Sequence, residues 1–482
     1  MAEETPATLP PFKPVGLDIG SCYSRLAMAN FVLHPKGTSA EIKSSVVSTS
    51  NGIRYIPSLA IADPADVDKV IVGEVAKSLL MKTKSSKDNN GEVVAAVSIH
   101  KALDSPTTTQ FFSEVLSMAK GAVGENSRLR TVISVPPTLT AATVTSLVAA
   151  VTAGFALTSA DSAVMATIAE PAAVCLAHGL EKFPRTWSKG LVVSWGSSGL
   201  NLTTINRVGA SDLITVGATT SDESCNGEAI ISAVVTHCAN LFQRKNKLDV
   251  FDSKKAVGRL RLACEDAVRT LVKGAAVSIE IDGLVDGVDL KVPLSKPRFE
   301  MLVGDIVGKA REALEKAGKF DVVLKSGSVC MMPALVNMVA EIFEGAWLGQ
   351  SNVPADEAAV MGAAYHASML TEADQCDEYR NNEVTKEVSV VKGLSIGIGK
   401  MNGEAVEGAV AVLGDGSAVD CWAEGRVEFE EEGGVVGVVD MKSGKVLAKI
   451  GENAKGRASV FLKATKEGGI KVRCGDAEAV IA

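Results

Sequence analysis

From Lys13 to about Leu370, short aliphatic runs alternate with longer segments in which apolar positions return every three or four residues. The first kind suits buried strands and the second amphipathic helices, so this region reads as α/β layering. Strands are predicted for PVGLDIG (14–20), RLAMANFVL (25–33), TVISVP (131–136), GLVVSWG (190–196), NLTTINRV (201–208), VSIEID (277–282) and FDVVLKSG (320–327). Helices are predicted for 107–124, 141–154, 226–245, 253–273 and 297–319, the last opening on Pro297 and closing on Ala317-Gly318, which are start and stop signals.

Between Thr371 and Glu387 the pattern stops: TEADQCDEYRNNEVTKE has almost no aliphatic residues and is expected to be a linker. From 388 to 482, runs such as LSIGIGK, GVVGVVDM and RASVFLKAT are broken by Gly, Asp and Asn, with no helix-length stretch, which predicts a small antiparallel β-domain. Residues 1–13 are acidic and rich in proline, unlike a signal peptide, and are expected to form a disordered arm.

Composition narrows the function classes. The 46% hydrophobic content beside 22% charged residues suits a soluble globular protein. No apolar run nears the roughly 18 residues of a membrane span, so no membrane partner and a cytoplasmic location are expected. The nine cysteines are scattered singly, without a C-x-x-C pair, the pattern of free thiols and not of a disulfide frame or zinc site. His237-Cys238 lies in an apolar helical run and reads as core. A net charge of −8 argues against wholesale or sequence-specific nucleic-acid binding. The basic cluster Arg244, Lys245, Lys247, Lys254, Lys255, Arg259 and Arg261 is interspersed with Asp249, Asp252 and Asp266 and reads as a solvated helix face, with ribosomal RNA or a nucleotide's phosphates as the alternative.

The candidate chemistry lies in three turns. In PVGLDIGSCYSRLAMAN (14–30) and GLVVSWGSSGLNLTTINR (190–207), a buried strand enters a Gly/Ser turn and a second strand leaves it; in FDVVLKSGSVCMMPAL (320–335) a similar turn leads into a helical run. Small residues let backbone N–H groups approach an anion closely. The repeated strand–turn–strand unit suggests two related half-domains facing a shared cleft.

These residues carry a resemblance. GLDIGSCYS, the segment from Val132 to Leu180, AVGRLRLACEDAVRTL (256–271), VSIEIDGLVDGVDL (277–290) and ADEAAVMGAAYHASML (355–370) resemble, in collinear order, the ATPase domain of the 70-kDa heat-shock chaperones. The resemblance implies an actin/hexokinase-type fold over 14–370, with two lobes around a nucleotide cleft. It implies ATP, with or without magnesium, as the cofactor. The implied nucleotide-binding positions are Gly20, Ser21, Cys22 and Tyr23 on the first turn, Gly196 and Ser197 on the second, and Gly327 and Ser328 on the third, together with Gly227, Glu265, Arg269 and Asp356. Asp18 would hold a magnesium ion through water, Pro136 matches a proline linked to interdomain switching, and any surviving catalysis would rest on Asp18 and Glu170.

The departures from that pattern are equally informative. Where the family reads DLGGGTFD this chain reads SWGSSGLN, so Ser194 and Asn201 stand in place of two aspartates, and neither carries the charge that holds a hydrated metal or orients an attacking water. Val268 replaces a lysine, Cys330 is the expected position of a lost base-stacking arginine, and Lys87 is only a positional guess for the catalytic lysine. The β-domain is short and no helical lid is expected after it. A degraded cleft with a short β-domain resembles, within the family, the atypical subunit of the ribosome-associated complex. That implies a cochaperone with little or no ATP hydrolysis, a J-domain partner of the zuotin type, the ribosome, the main ribosome-bound heat-shock chaperone, and contact with nascent polypeptide. A slow ATP-dependent chaperone and a nucleotide-exchange helper of another chaperone are the alternatives.

Overall fold

In a computed structural model of the chain, the described residues are 12–33, 40–49, 51–63, 66–82, 97–98, 103, 105–124, 127–158, 162–180, 187–207, 214–375, 396–402, 404–413, 423–441, 443–464, 470–474 and 477–481. Most of the expected 1–13 arm, the Lys87 position, and residues 376–387 of the expected linker lie outside them.

Two sheets of the same plan form the heart of the molecule. The first has the order β3 (Ala40–Val46), β2 (Tyr23–Leu33), β1 (Phe12–Ile19), β8 (Arg128–Val135), β9 (Ala163–Ala169), with β4 (Ile56–Pro57) also pairing β2. The second has the order β12 (Ile214–Asp222), β11 (Leu200–Arg207), β10 (Lys189–Trp195), β15 (Val322–Ser326). In each, the leading strand pairs antiparallel with the strand after its turn and parallel with a strand far along the chain.

Side-chain alternation explains why both leading strands are buried on two faces. Val15, Leu17 and Ile19 of β1 pack on Phe111, Phe112, Val115 and Leu116 of α2 (Pro106–Val123) and on Leu147 and Val151 of α3 (Ala141–Thr158). The opposite face carries Gly16, where an added Cβ would overlap the backbone of Val360 and Ala364 in α10 (Ala358–Gln375), so only glycine lets that helix sit against the sheet. In β10, Leu191, Val193 and Trp195 enter a core built with α5 (Gly227–Asn246) and α6 (Lys254–Lys273). Val192 points the other way, toward Val174 and Cys175 of α4 (Glu170–Ala177).

Smaller units flank each sheet. Beside the first lie a three-stranded sheet, β6 (Asp66–Val72), β5 (Leu59–Asp63), β7 (Val97–Ser98), and α1 (Gly73–Lys82). Beside the second, the hairpin β13 (Ala276–Val285) and β14 (Val288–Ser295) packs against α6, followed by α7 (Lys296–Leu302), α8 (Gly304–Lys316) and α9 (Pro333–Ile342). The predicted single helix over 297–319 is thus two helices. The break falls at Val303, whose backbone turns out of helical geometry (φ −102°, ψ 2°) to place its side chain in the core. The polar segment expected to begin a linker at Thr371 instead continues α10 to Gln375, because the Thr371 hydroxyl is buried and donates to the Ala367 carbonyl at 2.7 Å.

Past residue 395 an antiparallel sheet has the order β17 (Ala405–Leu413), β16 (Ile396–Asn402), β18 (Ala423–Asp440), β19 (Val446–Ala464), β20 (Ile470–Cys474), β21 (Ala477–Ile481). Alternate residues on these strands, among them Ile396, Ile398, Val436, Val438, Val460, Leu462, Ile470 and Val472, build one apolar face.

Candidate functional site

The three Gly/Ser turns meet at one cavity. Between β1 and β2, the Gly20 N–H donates to the Tyr23 carbonyl (3.0 Å), and Ser58 clamps the turn by donating its backbone N–H to the Cys22 carbonyl (2.8 Å) and its hydroxyl to the Gly20 carbonyl (2.7 Å). Between β10 and β11, the Gly196 N–H donates to the Gly199 carbonyl (3.2 Å). The first N–H groups of α5 then close on this turn, Gly227 to the Gly196 carbonyl (2.9 Å) and Glu228 to the Ser197 carbonyl (3.3 Å). The third turn follows β15: Gly327 has φ 92°, and an added Cβ would overlap the Trp195 carbonyl, so glycine is needed twice over.

The cavity measures about 350 Å³. Lys87 and Cys330 aside, its lining brings together the site residues singled out in the sequence: Asp18, Gly20, Ser21, Cys22 and Tyr23; Glu170; Gly196 and Ser197; Gly227; Glu265 and Arg269; Gly327 and Ser328; and Asp356. At one end, Ile231, Val268, Val272 and Met332 give an apolar wall suited to a flat ring. Cys330 does not stand at that wall as expected. It is buried behind it with its thiol directed to the Val193 carbonyl, and Val329 and Met332 occupy the lining.

At the other end lie the polar groups. Ser194 and Asn201 face each other across the β10–β11 hairpin, 3% and 9% exposed, so this hairpin supplies no carboxylate to the cavity floor. Burial, reinforced by the neighbouring Glu170 and opposed by Arg25, pushes the Asp18 carboxyl up to about 7. Burial also raises Glu170, against the hydroxyls of Ser326 and Ser194; Ser326 donates to its Oε1 at 2.5 Å. Burial, and then Glu265, raises the Cys22 thiol, with Arg261 opposing, which keeps it from being a reactive thiolate.

Sequence reasoning missed two cations here. Arg25 stands directly opposite Asp18 in the β1–β2 register, is 6% exposed, lines the cavity, and donates from Nη2 to Asp356 Oδ2 at 2.8 Å. Lys77 on α1 is 3% exposed, with its Nζ 2.5 Å from Asp266 Oδ1 of α6 and 5.6 Å from the centre of the Tyr23 ring. For Arg25 the signal was a lone cation in the largely apolar strand β2; Lys77 shares its helix with Glu74 and Lys82 and carried no such signal. Arg269 lies between two aromatic rings, its guanidinium carbon 4.1 Å from the Tyr23 centroid and 3.9 Å from that of Tyr55.

The expected solvated basic face holds at Arg244, Lys245, Lys247 and Lys254, which are exposed, and needs correction at Arg259 and Arg261. Arg259 is 5% exposed and donates to the carbonyls of Met81, Asp282 and Gly283, while Arg261 pairs with Glu228 and Glu265. Both are structural cations whose donors are already engaged.

Two mirrored strand–turn–strand units, each with helices on both faces and a cavity between their turns, define a nucleotide-cleft architecture. A profile described as "Hsp70 protein" matches residues 66–409. The chain is 33% identical over 246 residues to a heat shock 70 kDa protein of Trichophyton rubrum, covering 49% of this chain and 36% of that one. It is 32% identical over 214 residues to heat shock cognate 70 kDa protein 3 of Dictyostelium discoideum (42% and 34% covered), and 32% identical over 218 residues to a heat shock protein of Pyricularia oryzae (43% and 35%). The chain belongs to the Hsp70 family. It spans about a third of the length of these curated relatives.

The family binds ATP with magnesium. The residues present fit the nucleotide: the apolar wall suits a base, Glu265 and Arg269 stand beside it, and the glycine turns leave room for phosphates. They do not fit the metal. Among the described residues no group of three or more His, Cys, Asp or Glu is arranged to hold an ion. Of the cavity carboxyls, Asp356 is taken by Arg25, Glu265 by Arg261, Glu170 accepts from Ser326, and Asp18 is half-buried opposite a guanidinium that repels a dication.

Proposed function

We propose that this Hsp70-family chain holds a nucleotide without turning it over, and acts as a scaffold with a J-domain protein of the zuotin type at the ribosome. In that role it assists the main ribosome-bound heat-shock chaperone on nascent polypeptides. The observation that carries the non-hydrolysing reading is the Ser194–Asn201 pair on the cavity floor. Phosphoryl transfer to water needs a group that orients the nucleophile and a counter-charge for the transferring phosphoryl, and two neutral side chains supply neither. The scaffold part is supported by the sheet past residue 395, whose outer strands among the described residues, β17 and β21, are edges to which a partner segment can add a strand.

Single-turnover incubation of the chain, in excess over γ-labelled Mg·ATP, tests the first part by reading bound and cleaved label together. Bound, uncleaved label is expected. Asp18 and Glu170, both in the cavity, favour a slow ATPase as the second reading; label cleaved above background, and no longer cleaved in Asp18→Asn, would replace the proposal with it. Purification from cells without ribosomes or a J-domain protein would remove the scaffold part.

A further inference from the structure

Arg25 occupies an unusual place for a charge. It is the third residue of β2, just past the first turn, 6% exposed, in a register that sets it opposite Asp18 at the phosphate end of the cavity. Taking a guanidinium out of water is costly unless its charge is used. One nitrogen is fixed by Asp356 at 2.8 Å, which aims the group without covering it, since the residue still lines the cavity. The other groups at this end are the Ser194, Ser197 and Ser198 hydroxyls, the Asn201 amide, and the carboxyls of Asp18, which faces Arg25, and Glu170, which accepts from Ser326. A cation site collects carboxylates; here the β10–β11 hairpin brings only neutral donors, and β2 sets a fixed cation against the carboxyls that remain.

We propose that the cleft takes the phosphate tail of a nucleotide without a divalent cation, with the Arg25 guanidinium supplying the positive charge that a metal would otherwise bring. The proposal rests on the nucleotide-binding reading above. Arginine suits the task because its planar donors match phosphate oxygens and it stays charged at any working pH. Asp356 acts here as a positioning residue, holding the guanidinium in one rotamer. Nucleotide is then retained as an internal prop, whatever the free magnesium concentration, which agrees with a chain that does not cycle.

The test is equilibrium binding of ATP and of adenosine to the full chain, in excess magnesium and in excess EDTA, for the wild type and for Arg25→Met. For the wild type, the ATP dissociation constants with and without magnesium should agree within roughly threefold. Arg25→Met should weaken metal-free ATP binding by roughly tenfold or more while leaving adenosine binding unchanged, because one charge-assisted contact to phosphate is lost. ATP binding that disappears on chelation overturns the proposal, as does an Arg25→Met chain that binds ATP like the wild type. Should the variant not fold, the chelation comparison on the wild type decides alone. Failure of both ATP and adenosine to bind under either condition overturns the nucleotide-binding reading and this proposal with it.

Discussion

Replacing Asp18 by asparagine turns the half-buried cleft carboxyl into a measurable quantity. The side chain keeps its shape and loses its titration. In the folded chain its carboxyl is raised from 3.8 to about 7, chiefly by burial. At 1.36 kcal/mol per unit, that interval is worth ~4 kcal/mol. The sign follows from which state holds the proton more tightly: the folded state does, so its advantage is fully present below pH 3.8 and is lost as pH rises through about 7. Between pH 5 and pH 8 the wild type should therefore lose about 2–3 kcal/mol of stability through this group alone. Urea denaturation midpoints at a series of pH values, for both chains, give the difference directly. Asp18→Asn should exceed the wild type by ~1–2 kcal/mol at pH 5 and by ~4 kcal/mol at pH 8, the slope common to both chains belonging to the other titrating groups. Parallel curves for the two chains would refute the argument that Asp18 is desolvated and uncompensated in the fold.

Three further perturbations probe the packing around the cleft. Gly362→Ala places a Cβ against the Ala173 carbonyl where α10 crosses α4; as backbone cannot yield there, a loss of ~3 kcal/mol or more is expected in thermal unfolding, and a neutral result would mean the helices are not in contact. Asp266→Asn removes the half-exposed partner of buried Lys77 and should cost ~1 kcal/mol, less in high salt; a salt-independent loss would point to a contact other than the ion pair. Arg269→Ala empties the slot between Tyr23 and Tyr55 and should cost roughly 1–2 kcal/mol, with a change in the near-ultraviolet tyrosine dichroism; an unchanged spectrum would show that the guanidinium does not sit there in solution.

Much of this arrangement was legible in the sequence because it is written in local rules. The strand–turn–strand units at Asp18–Tyr23 and Ser194–Asn201 declare themselves through apolar runs ending on glycine, and the loss of two carboxylates shows from residue identity alone. What escaped depends on distant partners. Arg25 reads as a polar interruption until the β1–β2 register sets it opposite Asp18 and the loop before α10 brings Asp356 to it. The helix break at Val303 is invisible in the periodicity, since valine continues the apolar stripe while its backbone leaves it. Strand β12 was missed because it is a half-exposed edge with little apolar patterning. Cys330 went to the core and not the cavity because Met332, two residues on, fills the wall in its place.

Helix α10 sets a schedule for making the protein. Val360 and Ala364 cover Ala27, Ala29 and Val46, while Ala363 and Ala367 cover Val132, Ile168 and Ala173. These receiving surfaces belong to β2, β3, β8, β9 and α4, all made early, yet the helix that seals them follows the entire second sheet in the chain. At roughly 5–20 residues per second of synthesis, the first sheet waits on the order of tens of seconds with one apolar face bare. A growing copy of this chain is therefore, for that interval, the kind of sticky emerging polypeptide that other chains must shield.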